Sequence, residues 1–335
     1  MPKLILFALS AAALFGQDVS RVFHVHHIDN ERDLNEFATM TRAIAELQKL
    51  STDYAQRTLT VTGSPAQIAM AEWMFTELDR QALPEFATKE FKVPNKDDDS
   101  MRVFFLRNTA TVQDFQEVAT TIRTVAEIRR VFTFNAPRAL ALRGTADQLA
   151  AADWMIRELD QPGDAKRTDS PVHDIVDTGY LPETKIRVFY LPYATTTQQF
   201  QEVATLIRTI AETRRLFTYN TRKAMIVRGD AAEMGLTDWI VHELAKPVTA
   251  ETIASQTYTY SGPDRNGEKS VRVFYVKDTP TVQEFQQVAT QIRTEAKITR
   301  VFTYNETRAL VLRGTEAQLA LAEQILHDRQ IASNK

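Results

Sequence analysis

An α+β fold built from four tandem βαββα modules is what this sequence predicts, and three observations carry the prediction. The block "RVF" recurs at Arg21, Arg102, Arg187 and Arg272. A second block recurs as "GSPAQIAMAEWMFTELDRQ" at Gly63, "GTADQLAAADWMIRELDQP" at Gly144, "GDAAEMGLTDWIVHELAKP" at Gly229 and "GTEAQLALAEQILHDRQ" at Gly314. The two blocks are 42 residues apart in every copy, which identifies one duplicated unit with no insertion between its landmarks. Within each copy the hydrophobic period switches from two to 3.6 and back in the same order.

The second copy shows why each element forms. "RVFFL" is aromatic and β-branched and reads as a strand. "TVQDFQEVATTIRTVAEI" follows with Phe115, Val118, Ala119 and Ile122 at helical spacing. "RVFTFN" and "ALALRG" are two further strands joined by a turn at Ala136-Pro137-Arg138. The closing helix sets Leu149, Ala152, Ile156 and Leu159 on one stripe, with Trp154 nearly opposite. Helix starts are marked by capping pairs: Ser64/Gln67, Thr145/Gln148, Asp230/Glu233 and Thr315/Gln318 for closing helices. Asn30/Asp33, Thr111/Asp114, Thr196/Gln199 and Thr281/Glu284 mark the first helices. Gly63, Gly144, Gly229 and Gly314 are expected to supply a positive φ where strand turns into helix. The expected modules, each a small three-stranded sheet on two helices, span 21–80, 102–161, 187–246 and 272–330. Linkers fill 81–101, 162–186 and 247–271.

"MPKLILFALSAAALFGQ" places Lys3 before an apolar run from Leu4 to Phe15 and small residues, and reads as a secretory signal peptide over 1–16. No other stretch is long and apolar enough to cross a membrane. The chain holds 335 residues, a net charge of −3 and no cysteine. The charge offers nucleic acid or anionic lipid no general attraction, and thiolate chemistry is excluded.

Polar residues recur where catalysis would need one asymmetric constellation. Arg102, Arg187 and Arg272 recur, as do Arg143, Arg228 and Arg313. His24, His26 and His27 form the histidine cluster; His24 and His26 share a strand face and could hold a metal, but a solvated face is the favoured reading. No nucleophile triad, Walker loop or dinucleotide fingerprint occurs. No enzyme activity, metal or cofactor is expected.

Positions that stay apolar in all copies should face the helices: Phe23, Phe104, Phe189 and Phe274 in strand one, and Leu59, Leu140, Met225 and Leu310 in strand three. The alternate face carries Phe105, Phe132, Phe134 and Arg143 in the second module, and Tyr190, Phe217, Tyr219 and Arg228 in the third. The fourth has Tyr275, Phe302, Tyr304 and Arg313; the first has His24, Ser51, Asp53, Thr58, Thr60 and Thr62 instead. Linkers folding back are the favoured cover, with Phe91 and Val93, Ile175 and Val176, or Tyr258 and Tyr260 docking on the aromatics. An external protein is the second reading, and single-stranded nucleic acid or glycan the third. Trp73, Trp154 and Trp239 share one outward helix position and are expected to face the next linker or module. The fourth module carries Gln324 there and Arg329 in place of Leu78, Leu159 and Leu244, as a terminal repeat requires.

The strand pair entering a glycine turn and a helix ending in Leu-Asp resembles the secretin N-domain repeat of bacterial secretion systems and type IV pili. Leu140, Leu142, Gly144, Leu149, Leu159 and Asp160 match that pattern, as do Leu59, Val61, Gly63, Ile68, Leu78 and Asp79. Arg57, Arg138, Lys223 and Arg308 stand near the place where the family usually has Asn. The resemblance implies the periplasmic packing module without the barrel. The expected function is therefore a non-catalytic periplasmic interaction or assembly protein. Its expected partner is a protein, either a second copy or a secretion-system component. The alternative is a KH-like nucleic-acid binder, although the chain has no GxxG loop.

Overall fold

The computed structural model describes residues 18–94, 96, 99–162, 169–175, 184–249, 253–263 and 266–333. The expected signal peptide and Val176 lie outside them. Four times the chain runs strand, helix, strand, strand, helix. The first set is β1 (Val19–His24), α1 (Glu31–Ile44), β2 (Lys49–Asp53), β3 (Thr58–Gly63) and α2 (Pro65–Leu78). A short β4 (Phe91–Lys92) precedes β5 (Ser100–Phe105), α3 (Val112–Val125), β6 (Arg130–Phe134), β7 (Ala139–Gly144) and α4 (Ala146–Leu159). Then follow β8 (His173–Asp174), β9 (Lys185–Tyr190), α5 (Thr197–Ile210), β10 (Arg215–Tyr219), β11 (Ala224–Gly229) and α6 (Ala231–Leu244). The last set is β12 (Tyr258–Thr259), β13 (Ser270–Tyr275), α7 (Val282–Glu295), β14 (Arg300–Tyr304), β15 (Ala309–Gly314) and α8 (Glu316–Ser333). The fold is α+β.

Contacts divide the chain into two compact units: residues 1–107 with 128–149, and residues 108–127 with 150–335. The first unit holds two antiparallel sheets, ordered β1-β3-β2 and β4-β5-β7-β6. Phe23 pairs with Leu59 across the first sheet. These two residues and Val61 are buried in one cluster with Leu34 and Phe37 of α1 and Met74 and Phe75 of α2. Phe23 and Phe75 stack at 4.9 Å. The second unit holds sheets β10-β11-β9-β8 and β12-β13-β15-β14. Phe189, Met225 and Val227 bury with Phe200, Val203 and Ile207 of α5. Phe274, Leu310 and Leu312 bury with Phe285, Val288 and Ile292 of α7. Period-two alternation thus selects the helix-facing side of each of these sheets.

Three sheets have four strands where three were expected, because part of each linker joins the sheet edge as β4, β8 or β12. An unpaired edge leaves backbone donors and acceptors open, and a short strand closes them.

Except at Asn30/Asp33, the capping pairs form as reciprocal boxes. Thr196, for example, accepts from the Gln199 amide at 3.1 Å, while Gln199 accepts from the Thr196 amide at 3.1 Å. Asn30 accepts from the Asp33 amide, but the Asp33 carboxylate takes the Asn30 side-chain amide and not its backbone N–H. The glycine expectation is corrected: Gly63, Gly144, Gly229 and Gly314 are absent from the positive-φ residues, among which the glycine is Gly267 at 73°. Glycine is needed for closeness instead. A Cβ on Gly229 would lie 2.7 Å from Glu233 Oε2, and one on Gly144 2.6 Å from Gln148 Oε1. The capping side chain returns across the residue before the N-cap and leaves no room there for a methyl group. Positive φ falls on Glu46, Glu127, Glu212 and Lys297, just past each first helix, and on Arg57, Arg138, Lys223 and Arg308 in the hairpin turns. Each left-handed residue costs roughly 1–2 kcal/mol without glycine.

Candidate functional site

The second sheet face is the feature that sequence alone left open, and among the described residues its cover in the later repeats lies within the chain. The expected cover, the linkers, is corrected: the helix of the preceding repeat does most of it. In the first unit, Met101, Val103, Phe105, Phe134, Ala139 and Ala141 belong to one continuous buried cluster with Phe37, Met40 and Ile44 of α1. Phe37 and Phe134 rings lie 6.1 Å apart. Ala139 and Ala141 keep that face low, so a helix can approach closely. In the second unit, Leu206 and Ile210 of α5 cluster with Val271, Val273, Tyr275, Tyr304, Ala309 and Val311. A helix offers a broad apolar stripe matched to three strands; a two-residue linker strand can close only an edge. The linker contribution is lateral: Val93 and Tyr260 are buried at the margin, and Arg313 lies 4.0 Å above the Tyr260 ring.

Three polar contacts lock each joint, and they repeat. The Arg143 Nη1 donates to the Ile44 carbonyl at 2.8 Å, Arg228 to Val125 at 2.7 Å, and Arg313 to Ile210 at 2.9 Å. Each acceptor is the last residue of α1, α3 or α5, whose carbonyl has no partner within its helix. The guanidinium therefore caps a helix C-terminus, where positive charge is favoured. The same arginines reach Glu46, Glu127 and Glu212 at 3.3, 3.2 and 3.4 Å. Those glutamates also pair with Arg130, Arg215 and Arg300. Left-handed backbone at each glutamate puts its carboxylate beside the next sheet. Burial raises the Glu46 pKa, but the Arg130 hydrogen bond and the charges of Arg130, Arg143 and Lys96 outweigh it and hold it below the usual range. The third contact joins Glu36 to the Asn135 amide at 2.9 Å, Glu117 to Asn220 at 3.1 Å, and Glu202 to Asn305 at 3.2 Å.

These residues change in the first and fourth repeats. Where Arg143, Asn135 and Phe132 stand, the first repeat has Thr62, Tyr54 and Ser51. Where Glu202, Leu206, Ile210 and Glu212 stand, the fourth has Gln287, Gln291, Glu295 and Lys297. Ile210 is fully buried and Glu295 is exposed. The glutamate and asparagine series was missed in reading the sequence; its signal was their presence in three copies and loss in one.

Of the residues singled out from sequence, Phe105, Phe134, Tyr190, Tyr219, Tyr275 and Tyr304 are buried, and Phe132, Phe217 and Phe302 half-buried. The buried rings present no open face on which a base could stack. Burial pushes the Tyr304 phenol up to about 12, with Glu306 and Glu202 adding to it. The tryptophans are half-buried, each against a linker strand: Trp73 on Phe91 at 5.3 Å, Trp154 on His173 at 4.7 Å, and Trp239 on Tyr258 at 5.2 Å.

His24 is exposed, and the backbone amides of His26 and His27 donate to the Asp79 carboxylate at 2.8 and 2.6 Å. Among the described residues, the trio whose donor atoms lie close enough to share a cation is elsewhere, Asp169, Asp238 and His242. Both its carboxylates are already engaged, Asp238 by Arg187 and Asp169 by the Tyr190 amide.

No protein-family model matches the chain, and no curated protein does. Solved structures similar to it include the N-terminal domain of the secretin XcpQ from Pseudomonas aeruginosa, at 12% identity and TM-score 0.23, covering 68% of this chain and 100% of that one. A dimeric mutant of that domain matches at 18% identity and TM-score 0.19, covering 43% of this chain and 63% of that one. Aeromonas hydrophila ExeD matches at 12% identity and TM-score 0.17, covering 89% of this chain and 59% of that one. This chain thus spans less than two thirds of the last two. At these TM-scores no activity or partner carries over.

Proposed function

We propose that the chain is a non-catalytic periplasmic interaction or assembly protein of secretin N-domain-like repeats, associated with a secretion or pilus system. One observation supports the non-catalytic part: an arginine, a glutamate and an asparagine that each recur in three copies are used in joining one repeat to the next. Arg143, Arg228 and Arg313, with their glutamate partners, hold helix ends against sheets. The secretion setting rests on the Leu-Asp helix motif and on the Lys3–Phe15 leader read from the sequence.

The test is fractionation of the native host followed by mass spectrometry of the purified chain, with photo-crosslinking from exposed positions such as Val282. A periplasmic chain starting between residues 14 and 19, crosslinked to an envelope protein, is the expected result. Intact Met1 in the cytoplasmic fraction, or turnover of a substrate by the purified chain, would overturn the reading.

A further inference from the structure

The linkers enter the sheets by one repeated contact that the first repeat does not show. Thr88 donates its amide to the Val103 carbonyl at 2.9 Å, and its hydroxyl accepts from the Val103 amide at 3.1 Å. Ser170 does both to Val188, at 2.9 and 2.9 Å, and Ser255 to Val273, at 2.8 and 3.0 Å. The carbonyl of that same residue accepts from the Nε of the arginine one position before the valine: Arg102, Arg187 and Arg272, at 3.2, 2.9 and 3.1 Å. One Ser or Thr thus satisfies a valine N–H, a valine C=O and an arginine Nε. The residue two positions earlier adds a strand-like bond, from the Phe105 amide to the Phe86 carbonyl and from Tyr275 to Ile253.

The receiving half of this contact is complete in the first repeat. Arg21 and Val22 occupy the places of Arg102 and Val103, and β1 is the edge of a sheet ordered β1-β3-β2. Among the described residues no strand lies on its outer side. The Val22 side chain, on the sheet's second face, is 52% exposed, whereas Val103 and Val273 are buried there with the preceding repeat's helix. What the linker covers in the later repeats is the backbone N–H and C=O of this position. The Arg21 side chain meets Glu72 through Nη1, as Arg272 meets Glu323, so the guanidinium is already held in the receiving pose.

We propose that the outer edge of β1 is a strand-addition site for an extended segment of a partner protein, with Ser or Thr opposite Val22 and an apolar residue two positions earlier. Backbone pairing of this kind supplies affinity, while the Ser/Thr requirement and the apolar position supply selectivity. The occupant's chemistry is read from Phe86-Ala87-Thr88 and Ile253-Ala254-Ser255, which fill the equivalent edges. The proposal rests on the reading of the chain as an interaction protein, but its test uses purified chain and says nothing about cellular location.

The probe is a synthetic peptide with the sequence of residues 251–260, titrated into isotope-labelled full-length chain and into chain lacking residues 1–17. Amide shifts should concentrate on 19–24. A peptide with Ser255→Pro should not bind, and one with Ser255→Ala should bind at least five-fold more weakly. Val22→Pro in the chain should abolish binding, since it removes an N–H that faces away from β3. Should that variant not fold, Arg21→Gln, at an exposed position, should weaken binding at least three-fold with an unchanged thermal melt. Shifts confined to 270–275, equal binding of all three peptides, or no binding to either chain would overturn the proposal. So would binding only after removal of residues 1–17, which would give the edge to the chain's own leader. Concentration-dependent dimerisation lost in Arg21→Gln would give it to a second copy and overturn it likewise.

Discussion

Arg313→Ala is the sharpest test of the joints. The arginine is fully buried, and its Nη1 caps the Ile210 carbonyl at 2.9 Å while Nε donates to the Glu268 carbonyl at 3.0 Å. Its guanidinium also lies 4.0 Å over the Tyr260 ring. Truncation strands two carbonyls, each costing about 1–3 kcal/mol when buried without a partner. It also forfeits a desolvated cation–π contact worth about 1–2 kcal/mol. Stem packing is lost as well, and relaxation or water entry offsets part of the total. The expected cost is about 3–5 kcal/mol, the range for breaking a buried charged contact. Glu212→Gln provides the contrast. Its side chain is 51% exposed and 3.4 Å from Arg313, so solvent screens the pair and the change should cost about 1 kcal/mol or less. Urea denaturation of both variants, followed by circular dichroism, measures the difference. A loss below about 1 kcal/mol for Arg313→Ala, or equal losses for both variants, would refute helix capping as the source of the joint's stability.

Glu202→Gln and Asn305→Ala, measured singly and together, should show a coupling of about 1–2 kcal/mol by denaturation, because the carboxylate accepts from both the Asn305 amide and Nδ2. Gly229→Ala should cost about 1 kcal/mol by displacing the Glu233 capping side chain; Gly267→Ala should cost roughly as much or more through its φ of 73°, with no clash. Thermal melts of the two variants compare these causes. The Tyr304 phenol stays neutral to about pH 12 in the folded chain, against a usual value near 10, so its contribution is whole below pH 10 and falls away as pH rises to 12. A pH series of melts should show that loss, and Tyr304→Phe should reduce it.

How much was legible follows from which signals are local. Capping pairs such as Thr281/Glu284 lie within one turn, and the structure pairs them at 3.1 and 3.2 Å. Phe189 and Met225 were placed on the helix side by comparing copies, since burial on one face forces period two along a strand. Gly229 was read as a conformational glycine, but its type is equally consistent with a close approach, which requires coordinates to see. The second face was recognisable as apolar from Phe105, Phe134 and Tyr304, yet its cover was assigned to the linkers. The covering residues, Met40, Ile44 and Ile210, sit on helices whose other side already faces their own sheet, so their periodicity reads as ordinary core.

By itself the sequence determined the repeat, the order of elements, the helix caps and which side of each strand faces the repeat's own helices, because these depend on neighbours within a few residues. It also carried the changes at Thr62 in the first repeat and Lys297 in the fourth, though not their meaning. Only the tertiary structure decided that one repeat's first helix closes the next repeat's sheet, through contacts such as Arg313 to Ile210 that are 103 residues apart. A hydrophobic pattern records that a face leaves water; it does not record which distant surface takes the water's place.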